Sequence, residues 1–178
     1  MNIYTKEGWL DAPHIEEIAD RNNISFIVII GKRQIGKTYN VLKLMLDEDK
    51  RFILLRGVKT ELDMLKRNVN SPFEKIKGYK DLIKFESETE YTASIVKLET
   101  QEIDGEMAEV KNIIGMGAAL SSIGRIRGFN GDIFTDVVYD EFIPEKTAKP
   151  IKSEYETLLN VYETVNRNRE LKGQAPVK

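Results

Sequence analysis

The sequence predicts an α/β fold, a mostly parallel sheet flanked by helices and carrying a β-hairpin insertion, and three observations predict it. An apolar run, Ser25-Phe26-Ile27-Val28-Ile29-Ile30, leads into the loop Gly31-Lys32-Arg33-Gln34-Ile35-Gly36-Lys37-Thr38. Behind that loop, Val41, Leu42, Leu44 and Met45 recur at helical spacing over residues 37–49. Far downstream a second apolar run, Ile133-Phe134-Thr135-Asp136-Val137-Val138-Tyr139, ends in the acidic pair Asp140-Glu141. Strand, glycine loop and helix, followed later by a strand delivering carboxylates, is an α/β pattern built around a phosphate site.

The loop fits G-x-x-x-x-G-K-[ST] at every fixed position, the P-loop pattern, in the strand-to-helix context that gives it meaning. Its glycines let the backbone turn its N–H groups inward, and the helix N-terminus adds positive potential. Gly31, Lys32, Arg33, Gln34, Ile35, Gly36, Lys37, Thr38 and Tyr39 are therefore the expected ATP contacts. Lys37 is expected to neutralise the β- and γ-phosphates, and the Thr38 hydroxyl to ligate Mg²⁺. Asp140 is expected to hold the same Mg²⁺ from the end of its strand. Glu141, the next residue, is placed to orient or deprotonate an attacking water. A paired acid of this kind favours hydrolysis over phosphoryl transfer to a small molecule.

The remaining elements are read in order. A short helix is expected over residues 13–21, capped by Asp11 just before Pro13. Trp9 and the single histidine, His14, have no partner motif and read as surface or packing residues. Arg51-Phe52-Ile53-Leu54-Leu55-Arg56 reads as a second buried strand, and Thr60 with Asp63 as a helix start. Ser71-Pro72-Phe73-Glu74 combines an N-cap serine, a first-turn proline and a glutamate. Residues 91–98 and 110–120 are β-rich, with the turn signal Asp104-Gly105 between them, and predict the hairpin or a small meander. Residues 121–132 form a loop bearing glycine and arginine. A last helix is expected from Ser153, boxed with Glu156, its apolar face formed by Tyr155, Leu158, Val161, Tyr162 and Val165. On that helix Arg167 projects opposite the apolar face and Arg169 falls on the apolar side.

Bulk properties bound the function classes. With 27 basic and 29 acidic residues the net charge is −2, so no global field attracts nucleic acid, and any such contact needs local patches or several copies. The absence of cysteine excludes disulfides and thiolate metal sites. The longest apolar run is about six residues, too short to span a membrane. A hydrolase of this type also needs a positive charge on its transition state, often an arginine supplied by a neighbouring subunit. Arg167 suits that trans role; Arg125 and Arg127, in the glycine-bearing loop, are a second source.

Four phrases together carry a family resemblance. They are Phe26-Ile27-Val28-Ile29-Ile30-Gly31-Lys32-Arg33-Gln34-Ile35-Gly36-Lys37-Thr38-Tyr39, Phe52-Ile53-Leu54-Leu55-Arg56, Asp140-Glu141-Phe142-Ile143, and Leu158-Leu159-Asn160 with Asn166-Arg167-Asn168-Arg169-Glu170. In order, over most of the chain, they resemble the DNA-packaging (terminase-like, encapsidation) ATPase of phi29-like phages. The resemblance implies a P-loop NTPase of the additional-strand conserved-glutamate (ASCE) type, in a homo-oligomeric ring that drives double-stranded DNA through the portal into a capsid. It implies a packaging RNA in some members, and a place in the infected host cytoplasm, at the capsid portal. It makes Arg167 the trans-acting finger, puts a trans-acting basic residue near Arg125 or Arg127, and sets Lys59 and Lys146 towards DNA. It also implies a sensor strand and a nuclease-like domain after Lys178, so residues 1–178 read as the P-loop ATPase domain of a longer protein. Two other readings stay open: a nucleotide-binding assembly module without motor activity, and a ring ATPase or helicase of DNA metabolism.

Overall fold

Phe52, Ile53, Leu54 and Leu55 have no accessible surface at all, and they form most of Phe52–Arg56 (β1), the strand around which the sheet is built. A strand buried on both faces reads as an unbroken apolar run, as this one does. A computed structural model of the chain describes residues 2–68, 71–103, 105–123, 131–143 and 151–178. On one edge β1 pairs in parallel with Glu106–Ala119 (β4), and on the other with Asp136–Tyr139 (β5). Beyond β4 come Thr92–Ile103 (β3) and Ile83–Ser87 (β2), giving the order β2-β3-β4-β1-β5.

Alternation along β1 splits the core in two. Phe52 and Leu54 face a cluster with Leu42, Met45, Phe73, Phe85 and Ile95. Ile53 and Leu55 face Met116, Ala118, Phe134, Val161 and Val165. The helices Ala12–Arg21 (α1), Lys37–Asp47 (α2) and Lys59–Lys66 (α3) contribute to the first cluster or border it. Leu120–Ile123 (α4) and Glu154–Asn166 (α5) cover the second face. The result is helix, sheet, helix in three layers.

Several expected elements are present for the expected reasons. α1 opens at Asp11, whose carboxylate accepts from the His14 amide at 3.1 Å, with Pro13 in the first turn. Ser71 caps the 3₁₀ turn Pro72–Lys75 by accepting from the Phe73 amide at 3.3 Å. The hairpin is β3–β4, turning at Gly105 with φ 85°, and β2 extends it to a meander. α3 starts differently from the expectation: Glu61, rather than Thr60 or Asp63, reaches back to the amides of Gly57 and Val58 at 3.1 and 3.4 Å.

Four further expectations are corrected. Residues 25–30 form no strand, and the sheet is mixed, with two parallel and two antiparallel pairings, instead of mostly parallel. The two corrections share a cause. The hairpin joins the sheet through β4 and brings antiparallel ladders with it, while no described strand pairs with residues 25–30. The outer edge of β5 instead meets the backbone of Lys178, whose amide donates to Thr135 at 3.1 Å and whose carbonyl accepts from Val137 at 2.6 Å, a parallel pattern. Without a ladder, Val28 stays 69% exposed, and Phe26 finds partial cover against the Tyr162 ring at 4.5 Å. The third correction is the start of α5: Ser153 is left-handed, at φ 53°, with no side-chain cap. The fourth is Tyr155, 72% exposed although it shares the apolar stripe, because the core packs against Leu158, Val161, Tyr162 and Val165 further along.

Opposite the acidic end of β5, buried charges tie the layers together. Lys50 pairs with Glu16 of α1, with Glu48 at 3.1 Å and with Asp136 at 3.9 Å, and Lys178 adds a contact to Glu16 at 3.2 Å. Burial pushes the Asp136 carboxyl above its ordinary range, against the opposing hydrogen bond from Thr135 and the charge of Lys50.

Two predictions follow from this packing. Leu54→Ala costs about 3 kcal/mol in urea denaturation, whereas Val28→Ser, on an unpaired and exposed segment, shifts stability by less than roughly 0.5 kcal/mol. A large loss at Val28 would put residues 25–30 back in the core. Because the folded state raises the affinity of Asp136 for its proton, its contribution is present at low pH and is lost as pH rises through the folded value. Asp136→Asn therefore gains stability relative to the parent chain between pH 4 and pH 7, measured by thermal melts across that window.

Candidate nucleotide-binding site

The site lies where the loop 31–36 and the C-terminal ends of β1 and β5 converge. Left-handed conformations at Gln34, φ 67°, and Gly36, φ 79°, curl the loop before α2 begins at Lys37. Gly36 is the N-cap of α2 and supplies no side-chain cap, so the first-turn amides keep their donor capacity. The Lys37 amine reaches back across the loop and donates to the carbonyls of Gly31 at 2.9 Å and Lys32 at 2.7 Å. Asn40 closes the first turn with a bond to the Gly36 carbonyl at 3.0 Å. Tyr39 faces the other way, packing on the core and accepting from the Lys77 amide at 3.4 Å.

One contact joins the two halves of the sequence pattern. The Thr38 hydroxyl donates to Asp140 Oδ1 at 2.9 Å, across 102 residues of chain. Asp140 reaches that position because its amide continues the β5 ladder, donating to Leu55 at 3.2 Å. These two oxygens suit Mg²⁺, which takes one or two protein oxygens and completes its shell with water and phosphate. Among the described residues no cluster of three or more His, Cys, Asp or Glu could hold a metal ion.

Sequence reading missed one member of the site. Arg56, the last residue of β1, has a side chain only 13% exposed and places Nη1 2.9 Å from Glu141 and 3.2 Å from Asp140. Nε and Nη1 are not aligned on either acceptor, so these are ion pairs by distance without directed hydrogen bonds. The guanidinium screens two adjacent carboxylates that would otherwise repel. A charged residue at the end of an otherwise apolar strand was the available signal. Glu141 itself is 67% exposed and held at φ 59°, a backbone strain of the kind that collects at functional sites.

The other expected site residues are dispersed. Lys59 begins α3, pairs with Glu90 at 2.5 Å and lies 5.8 Å from the centre of the Tyr91 ring. That pairing offsets a cation at a helix N-terminus. Arg167 follows the last residue of α5 with φ −51° and ψ 125°, so the helical projection drawn from sequence does not apply to it, although it is exposed. α5 runs antiparallel to β5: Tyr139 donates to Glu154 at its start, and a Cβ on Gly131 would meet Val165 near its end. Arg167 thus lies by Asp132, at the end of β5 opposite its own Asp140. Arg169 also lies past the end of α5, so its helical projection does not apply either; it is buried through its bonds to the carbonyls of Ala175 at 2.7 Å and Phe134 at 3.1 Å. Arg125, Arg127 and Lys146 lie outside the described residues.

Comparison with known proteins gives a family and a likeness of fold. The family described as Podovirus DNA encapsidation protein (Gp16) matches residues 14–175. The solved phi-28 gp11 DNA packaging motor is similar in fold, with a TM-score of 0.61 and 24% identity over 93% of this chain and 48% of that one. The bacteriophage phi-29 viral genome packaging motor assembly gives 0.55 and 22%, over 99% of this chain and 46% of that one. The chain therefore spans about half the length of the structures it matches. At these identities the likeness is one of fold. No curated protein matches the chain.

Gly36 offers a direct test of the loop. A Cβ there would lie 2.5 Å from Asn40 Nδ2 and 3.3 Å from the Trp9 ring, on a backbone at φ 79°. Gly36→Ala costs roughly 1–2 kcal/mol of stability and abolishes binding of inorganic tripolyphosphate in calorimetry, whereas Gly78→Ala, with open space around it, costs stability alone.

Proposed function

The chain belongs to the Podovirus DNA encapsidation protein (Gp16) family, and we propose that it is the P-loop, ASCE-type ATPase domain of a ring motor that drives double-stranded DNA into a phage capsid. The observation that carries the reading is the 2.9 Å contact between Thr38 and Asp140, which brings the P-loop and the acidic strand end to one point. The family match supports the packaging role, and the fold likeness to two packaging motors agrees with it.

In this reading Lys37 exchanges the loop carbonyls of Gly31 and Lys32 for the β- and γ-phosphates, and the amides of the loop and first turn hold the remaining oxygens. Magnesium, bound with the nucleotide, supplies charge neutralisation on the phosphate oxygens, and Thr38 and Asp140 are the residues that would hold it. Glu141 orients a water and takes its proton as the oxygen attacks the γ-phosphorus. The bond from that phosphorus to the bridging oxygen breaks, and ADP leaves with the electron pair. Arg56 keeps Asp140 and Glu141 close while their combined charge changes.

The positive charge that completes the transition state comes from a neighbouring copy. Arg167 lies at the end of β5 away from its own Asp140, a position that serves a neighbour's site better than its own. Arg127 and Arg125 are the alternative trans donors. Lys59 and Lys146 are the residues assigned to DNA, and a ring multiplies a few such lysines into a basic collar although each chain carries a net −2. The portal of the capsid is the docking partner, with a packaging RNA in some relatives, in the cytoplasm of the infected host. No described helix is long and apolar enough to cross a membrane.

Phosphate release from Mg·ATP, followed as protein concentration rises, tests the reading. The rate per chain climbs with concentration, falls about a hundredfold or more in Glu141→Gln, and about a thousandfold in Arg167→Ala mixed with itself. A flat background that ignores both substitutions, with ATP still bound, would reduce the protein to a nucleotide-binding module.

A further inference from the structure

Trp9 is the only tryptophan of the chain, and the structure places it where its sequence context does not suggest. It is 51% exposed, yet its ring borders the P-loop: a Cβ on Gly36 would lie 3.3 Å from Trp9 Cε3. The neighbouring Leu10 is buried and donates its amide to the Ile35 carbonyl at 3.0 Å, which anchors the N-terminal segment to the loop. Tyr4 and Leu10 form an antiparallel bridge. Within that turn the Thr5 amide donates to the Trp9 carbonyl at 2.8 Å, and the Trp9 amide to the Thr5 hydroxyl at 3.3 Å. The indole is therefore held by its backbone on both sides, with one part of the ring on the glycine that caps α2 and the rest open.

We propose that Trp9 is the base-recognition surface of the nucleotide site, stacking its indole on the base of a bound nucleoside triphosphate. The proposal rests on the reading of the loop 31–38 as a nucleotide site and extends it from the phosphates to the nucleoside. A P-loop binds the polyphosphate end through backbone amides and one lysine, none of which contacts a base. An exposed aromatic face fixed beside the same glycine is suited to the other end. Stacking on it displaces water from two flat apolar surfaces, and a turn already pinned to the loop loses little freedom on binding. Every base has a π-face, so this contact adds affinity for nucleoside triphosphates as a class and does not itself select one base.

The same tryptophan provides the readout. In the full chain, with Mg²⁺ present, its emission is followed while ATP or inorganic tripolyphosphate is added, and binding of each is measured separately by calorimetry. Binding of ATP changes the emission and binding of tripolyphosphate leaves it unaltered. Trp9→Ala weakens ATP about tenfold without altering tripolyphosphate affinity, and Trp9→Phe recovers most of the loss. If ATP binds with no change in emission and equal affinity in Trp9→Ala, base stacking is overturned while the nucleotide site stands. If neither ligand binds the parent chain, the nucleotide-site reading fails and this proposal fails with it.

Discussion

The arrangement depends on β1 being enclosed from every side. Its two edges are paired in parallel with β4 and β5, and its two faces belong to different halves of the core. Such a strand has almost no freedom to shift, because a slip of one residue would exchange the Phe52/Leu54 face with the Ile53/Leu55 face. That rigidity is passed to the site through its last residues. Leu55 accepts from the Asp140 amide and sets how far β5 advances, and Arg56 continues directly into the two carboxylates.

The site is thus assembled from parts with different mechanical character. Asp140 and Arg56 are extensions of a buried sheet, while the loop 31–36 is a curled segment held by the start of α2 and by the N-terminal turn. The residues before that loop have no ladder, although the residues after it form a regular helix. Charge is compensated locally: Lys37 against carbonyls of its own loop, Arg56 against Asp140 and Glu141, and Lys59 against Glu90. Each of these cations sits near the end of an element, where a partner can exchange for phosphate or another anion without disturbing the core.

What could be read along the chain was whatever local chemistry decides. The caps at Asp11 and Ser71, the turn at Gly105 and the loop at Gly36 rest on residues whose side chains or backbone freedom act within a few positions. Burial of Arg169 was not legible in this way, because α5 ends at Asn166 and helical spacing no longer places the residue. The apolar run at residues 25–30 was misread as a strand because composition records a preference for burial but not the presence of a partner edge. Ser153 failed as a cap for a similar reason: the side chain was suitable, but the backbone there is left-handed. The contacts of Arg56 and Trp9 were not legible because their partners, Glu141 and Gly36, lie 85 and 27 positions away.

The sequence by itself determined the chemical inventory: a glycine loop with the P-loop pattern, a strand ending in two acids, and the apolar runs that could be buried. Those are properties of neighbouring residues, set by backbone freedom, capping and periodicity. Only the tertiary structure decided that Thr38 meets Asp140, that Arg56 stands against both acids, that Trp9 borders the loop and that β5 pairs at its outer edge with Lys178. Such contacts join residues far apart in the chain, and their geometry comes from strand register and layer packing, which local sequence does not encode.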